Sequence, residues 1–465
     1  MVEGSEAVVG NSYVPLRTRL YRVFTRVFDL GFTAFGGPPV HIQIFHRRFV
    51  EGNAPWIDER TFQELFVITQ ALPGPGSTKL LFNIVQVYAG VLPAIVAFTL
   101  WSLPGAAVMY GLSLAVQRIG TTLPGPVYAL LSGLNAATVG GIALSATQLA
   151  RKAISDRLTR SIVLLGACAG LIYNALWYYP VLIVSGGLMT LIWDLRKSVR
   201  RQSRPDANTP SPHNEQNDAA SSEVLERTEA QNSSVDTSRY SLSIPAGMLI
   251  SILVIIAFLV LIILRGTLNA PPKVFALFTN MYIAGTLIFG GGPVVIPLLR
   301  EYVVEPGWVS PRDFLLGLAI IQALPGPNFN FAVYLGSLAL AGHVLSARSL
   351  LGALMGFIGI FTPGIVLSAG IQSVWHLIRD RRVVISLLRG MNAAAVGLVF
   401  TAVYRLWEVG YLTPDDSAGI SLAKEPWWLA ITATAYTSVE WFDVPIPLAI
   451  VGGGAAGLLW WDVVK

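Results

Sequence analysis

The chain has 465 residues, 53% of them hydrophobic and only 13% charged, with a mean hydropathy of +0.59. That is too apolar for a soluble domain of this size, and the formal charge of +5 is too small to suggest nucleic acid as a partner. The single cysteine, Cys168, excludes an intrachain disulfide, and the five histidines show no metal-ligand spacing, so no metal, no cofactor and no enzyme is expected.

The apolar runs are long and continuous, whereas membrane strands would alternate in polarity over about ten residues, so the expected class is all-α. Residues 1–16 are a polar tail without the apolar centre of a signal peptide. Residues 17–37 carry Arg17, Arg19, Arg22 and Arg26 and turn apolar toward Phe35, reading as an amphipathic entry to a first crossing. Phe35-Gly36-Gly37-Pro38-Pro39 stops it, and the stretch to Trp56, with His41, His46, Arg47 and Arg48, reads as a solvated loop or a re-entrant segment. Asp58 and Glu59 start the next helix, where negative charge suits the helix dipole.

That helix runs into Pro73-Gly74-Pro75, and a new one begins at Gly76. Further spans are expected at 77–90, at 91–117 with an interruption at Pro104-Gly105, and at 123–150 around Gly133 and Asn135. Two shorter helices fill 161–195 and complete a first repeat, 17–195. Residues 196–243 are rich in Ser, Asn, Glu and Arg and read as a disordered linker, placed in the cytosol by the basic run after Leu195. Residues 244–264 form a plain extra transmembrane helix.

From Lys273 the pattern returns as a second repeat, 273–465. Phe289-Gly290-Gly291-Gly292-Pro293 echoes Phe35 to Pro39, Pro363-Gly364 echoes Pro104-Gly105, and the GMNAA at Gly390 echoes the GLNAA at Gly133. QALPGP occurs at Gln70 and again at Gln322, 252 residues apart, the same separation as Trp56 and Trp308. Landmarks that return in the same order mean duplication. With tail and linker both cytosolic, the unpaired helix at 244–264 makes the second copy begin on the opposite side. The architecture expected is an all-α polytopic membrane protein of two inverted repeats with broken, PGP-interrupted and re-entrant helices.

A helix start exposes backbone N–H groups and partial positive charge, which together bind an anion. After Pro75 come Gly76, Ser77, Thr78 and Lys79, supplying small residues, hydroxyls and a cation. After Pro325-Gly326-Pro327 come Asn328, Phe329 and Asn330, supplying amides. These residues, with Gly36, Gly37, Gly291 and Gly292, are the candidate substrate site. Gln70, Gln322, Asn135 and Asn392 are pathway candidates, although hydrogen bonds between helices are the commoner role for such mid-span asparagines. Glu64 is a coupling candidate if buried, or a partner of Arg60 on one helix face.

The paired QALPGP motifs, FGGPP and FGGGP, and the PG and GLNAA/GMNAA echoes resemble the chromate ion transporter family in its two-repeat form. The resemblance implies a secondary transporter of chromate, a tetrahedral dianion, working by alternating access with protons as the expected coupling ion. A transporter of sulfate or another oxyanion, or an anion channel, is the alternative. A plasma-membrane location is expected, with the oxyanion, protons, lipid and, in a homodimer, a second copy as partners.

Overall fold

The computed structural model describes residues 14–35, 37–51, 54–118, 124–173, 178–202, 242–268, 271–288, 295–341, 347–378, 381–416 and 419–464. Those residues are overwhelmingly helical, with one isolated bridge between Tyr411 and Ile420. Among them, six helices are long and apolar enough to cross a membrane: Val91–Val116, Gly125–Ala153, Ile244–Thr267, Ala347–Trp375, Arg382–Trp407 and Ile446–Val464.

Each PGP motif is the tip of a helical hairpin. Asp58 caps the first helix, Glu59–Ala71, by accepting from the Thr61 amide, and Gly76–Ala89 comes after the turn. Trp56, just before the hairpin, stacks on Tyr88 at its far end with ring centroids 4.3 Å apart, so the second helix has folded back along the first. In the second copy Ser310 caps Pro311–Ala323, and the return helix is Phe331–Ala339. There the Tyr334 hydroxyl, one turn into the return helix, donates to the Asp313 carbonyl at 2.7 Å and ties the two arms together.

The two hairpins enter from opposite ends of the long helices they share. Gly90, at φ 96°, reverses the chain after hairpin one, so the hairpin returns beside the start of Val91–Val116, while Thr78 near its tip accepts from Trp101 Nε1 at mid-helix. Hairpin two runs along the other half: Asn330 near its tip donates to the Ser102 carbonyl, and Ser337 accepts from Ser113 near the helix end. On Ala347–Ile378 the halves are exchanged. Asn83 and Gln86 of hairpin one donate to Ser368 and Ala369, whereas Gly336 and Ala332 of hairpin two lie against Gly352 and Gly356.

Several local expectations are corrected. Pro104 and Pro363 lie inside continuous helices and do not interrupt them. The proline leaves the carbonyl of Leu100 without its helical donor, and Gly31 packs onto that turn so tightly that a Cβ there would lie 2.5 Å from the Leu100 oxygen. Residues 17–37 contain two helices, Leu16–Val27 and Leu30–Thr33, both too short to cross. The first is amphipathic as expected and buries Val23 and Val27.

The supposed solvated loop is the helix Gly37–Phe49. Its basic residues mask a buried stripe of His41, Phe45 and Phe49 at helical spacing. The expected linker also starts late, because the helix Tyr178–Gln202 continues past Leu195. Residues 203–241 lie outside the described residues.

Candidate functional site

Both tips turn on a glycine in the left-handed region, Gly74 at φ 103° and Gly326 at φ 84°. Each tip amide is taken by the opposite repeat. Gly74 donates to the Ile288 carbonyl at 2.7 Å, and Gly326 donates to the Ala34 carbonyl at 3.0 Å. Ile288 and Ala34 immediately precede the two FGG stretches. Each tip also sits on the proline-glycine turn of the other copy: a Cβ on Gly74 would lie 2.8 Å from Gly364 Cα, and one on Gly105 would lie 2.6 Å from Asn330 Nδ2.

Beyond the first tip, the amides of Gly76, Ser77 and Thr78 precede any intrahelical acceptor, and Ser77 and Thr78 are only 4% and 1% exposed. Beyond the second, a single 3-10 turn, Asn328–Asn330, precedes the α-helix. Asn328 donates to Gln322 Oε1 at 3.1 Å. Asn330 is fully buried, and among the described residues its Oδ1 has no partner.

Lys79 is fully buried, and its ammonium is taken up by backbone carbonyls at the end of the preceding helix. It donates to the carbonyls of Thr69, Leu72 and Pro73 at 2.7, 2.5 and 3.0 Å, which use its three protons. It therefore binds the carbonyl end of the preceding helix, where a cation opposes the negative end of the dipole. The expected direct cation for an anion is thus committed within the protein.

His41 was not expected in the site. It is 1% exposed and stands between the tips, with Nε2 3.1 Å from the Ala34 oxygen and Nδ1 3.2 Å from Ser77 Oγ. Its ring meets Trp101 edge-on at 4.9 Å. The only sequence signal for its burial was its place in the stripe with Phe45 and Phe49.

A cavity of about 690 Å³ leads toward the first tip, lined by Gln63, Glu64, Gln70, Lys152, Arg389 and Asn392 among others. Gln70 and Asn392 are thus brought to one space. Arg389 is held by Asp156 at 3.1 Å and Asp194 at 2.9 Å. Glu64 lines the same cavity but pairs with Arg60 at 3.6 Å and is 42% exposed, so it lacks the burial a coupling carboxylate would need. Asn135 instead donates to the Gly410 carbonyl at 3.1 Å and ties two helices. Gly37 opens its helix at φ 75°, whereas Gly36, Gly291 and Gly292 lie outside the described residues.

The chromate transporter family model matches residues 21–191 and 275–458, well over half of the chain and one stretch in each repeat. The chain belongs to the chromate transporter family. Its relatives in that family include a chromate transport protein of Pseudomonas aeruginosa, 24% identical over 86% of this chain and 84% of its own. Another is the chromate transport protein of Cupriavidus metallidurans, 23% identical over 95% of this chain and 92% of its own. An uncharacterized transporter of Methanocaldococcus jannaschii is 21% identical over 82% of this chain. No solved structure matches. Membership of the chromate transporter family and the six apolar helices make the chain an integral membrane protein.

Proposed function

We propose that the protein moves chromate across the plasma membrane by alternating access, with protons as the coupling ion. The observation that carries this reading is the meeting of two hairpin tips, from opposite ends, at the middle prolines of two long helices. Backbone that leaves a helix at membrane depth needs a polar reason, and a paired set of helix starts offers one to an anion.

A tetrahedral dianion has oxygens in four directions, which suits donors arriving from two sides. The first tip offers the amides of Gly76 and Ser77 with the hydroxyls of Ser77 and Thr78. The second offers the amides of Asn328 and Phe329 with the side chains of Asn328 and Asn330. Lys79 acts at one remove: by neutralising the carbonyl end of Glu59–Ala71 it keeps negative charge away from an incoming anion.

The cavity at Gln70 opens at the end of the molecule that carries Arg151, Lys152, Arg157, Arg381 and Arg382. Basic ends face the cytosol, so this conformation is the inward-facing one. The hairpins then re-enter the membrane from opposite sides, and the repeats are inverted. Rocking of one hairpin and its long helix against the other would close this cavity and open its counterpart.

The test is radiolabelled chromate flux into proteoliposomes with and without an imposed pH gradient, with sulfate and molybdate as competitors. Saturable chromate flux driven by the gradient is expected. Flux that ignores every gradient would mark a channel, and stronger competition by sulfate than by chromate itself would move the substrate to sulfate.

A further inference from the structure

We propose that His41 is the coupling residue, and that it works by turning the hydroxyl of Ser77; this rests on the oxyanion reading of the hairpin tips. The Ala34 carbonyl can only accept, so Nε2 must carry a proton and donate to it at 3.1 Å. In the neutral ring Nδ1 is then a bare lone pair, and the Ser77 hydroxyl, 3.2 Å away, must donate to it. Ser77 thereby presents only lone pairs to the helix start, which repel an oxyanion.

A proton taken up at Nδ1 reverses that bond. Nδ1–H now donates to Ser77 Oγ, and the Ser77 proton, still on its oxygen, is released to point at the bound anion. The protonated ring also adds a positive charge beside the dianion. Proton and oxyanion then favour each other's binding, and the coupling is reciprocal. The Ala34 carbonyl simultaneously accepts the Gly326 amide, so the same ring is joined to both tips.

The neighbours leave this task to His41. The return helix of hairpin one brings Ser77, Thr78 and Lys79, and the Lys79 ammonium is taken by three carbonyls. Val91–Val116 brings Trp101, and its one ionisable group is Tyr110. On the outgoing helix of hairpin one, Glu59 is bonded to His46, and Arg60 pairs with Glu64. On His41's own helix, His46 also meets Glu51, Arg48 is paired with Asp29, and Arg47 lies near the end. The Leu30–Thr33 turn has no ionisable side chain. The second repeat has no equivalent pair: in register with the FGG and PGP landmarks, His41 corresponds to Val295 and Ser77 to Phe329. One repeat holds a titratable switch and the other does not.

The experiment compares wild type, His41→Gln, Ser77→Ala and Ser77→Thr in proteoliposomes, reading chromate affinity and proton uptake over roughly pH 3 to 8, because burial pushes the His41 ring down to about 4. Chromate's own protonation is common to all four, so differences between them isolate the protein. Wild type should lose up to about tenfold in affinity per pH unit on the alkaline side beyond that common slope. His41→Gln should lose this extra slope and carry one proton fewer per turnover, Ser77→Ala should keep only the shallower slope that the ring's charge alone supplies, and Ser77→Thr, which keeps a hydroxyl, should match wild type in both. If His41→Gln fails to fold, the contrast between Ser77→Ala and Ser77→Thr decides alone. Chromate flux with a wild-type slope in His41→Gln, or in Ser77→Ala, overturns the switch and leaves the chromate reading intact. A His41-dependent slope with molybdate or sulfate but no chromate flux supports the switch and overturns chromate.

Discussion

The Gly74 amide donates to the Ile288 carbonyl at 2.7 Å, and so the first hairpin tip is fastened by the second repeat. The Gly326–Ala34 bond is its counterpart. Neither tip is completed within its own copy, and a movement of one repeat against the other must act on both.

Gly74→Ala and Gly364→Ala should therefore each abolish transport. Gly74 combines φ 103° with a Cβ position 2.8 Å from Gly364 Cα, and Gly364 meets Gly74 Cα at 2.9 Å in return. Backbone cannot yield as a side chain can. Gly326→Ala shares the strained φ but comes no nearer than 3.2 Å to the Trp101 oxygen and 3.7 Å to the Gly31 oxygen, so it should be milder. Initial rates of chromate uptake at matched protein level check the order, with Gly74→Ala at least tenfold below Gly326→Ala.

Lys79→Met should act on stability before it acts on affinity. It leaves the carbonyls of Thr69, Leu72 and Pro73 without the donor that now satisfies them. Unsatisfied buried carbonyls cost about 1–3 kcal/mol each, so a clear drop in melting temperature of the detergent-solubilised protein is expected. A variant that melts as wild type but no longer binds chromate would instead place the ammonium on the ligand.

Much of this architecture was legible because duplication is visible without structure: two QALPGP motifs and two tryptophans at one separation defined the repeats and their broken helices. The two helix starts were legible for a related reason, since the residues after a Pro-Gly-Pro turn open a new helix. Relations that depend on where a side chain turns stayed hidden. Lys79 looked like a ligand because sequence shows its charge and not the three carbonyls behind it. His41 looked solvated because Arg47 and Arg48 outweigh, in a polarity reading, a stripe of His41, Phe45 and Phe49. Pro104 looked like a break because sequence does not show Gly31 packed on the turn it loosens.

Asp156 offers a pH-dependent test outside the membrane-spanning helices. Burial pushes its carboxyl up, but hydrogen bonds from Thr159 and the charge of Arg389 outweigh this and hold it below the ordinary carboxylate value. A depressed folded-state value means that its stabilisation is present at neutral pH and is lost as pH falls through that value. Asp156→Asn keeps a capping oxygen and removes the charge. It should lower stability by under about 1 kcal/mol at pH 7, since the pair is well solvated, and the gap to wild type should close below about pH 4. Melting curves of both proteins across pH give the result.

Opposed hairpins make a prediction about sidedness. Glu51 lies near the base of the first hairpin and Glu305 near the base of the second, and their side chains are 58% and 49% exposed. With Cys168→Ser the chain has no other cysteine, so Glu51→Cys and Glu305→Cys each carry one thiol. In sealed vesicles of known orientation, a membrane-impermeant maleimide should label Glu51→Cys only from the cytosolic side and Glu305→Cys only from the other. Labelling of both from one side would mean that the hairpins share an entrance, and a rocking mechanism built on inverted repeats would fail with it.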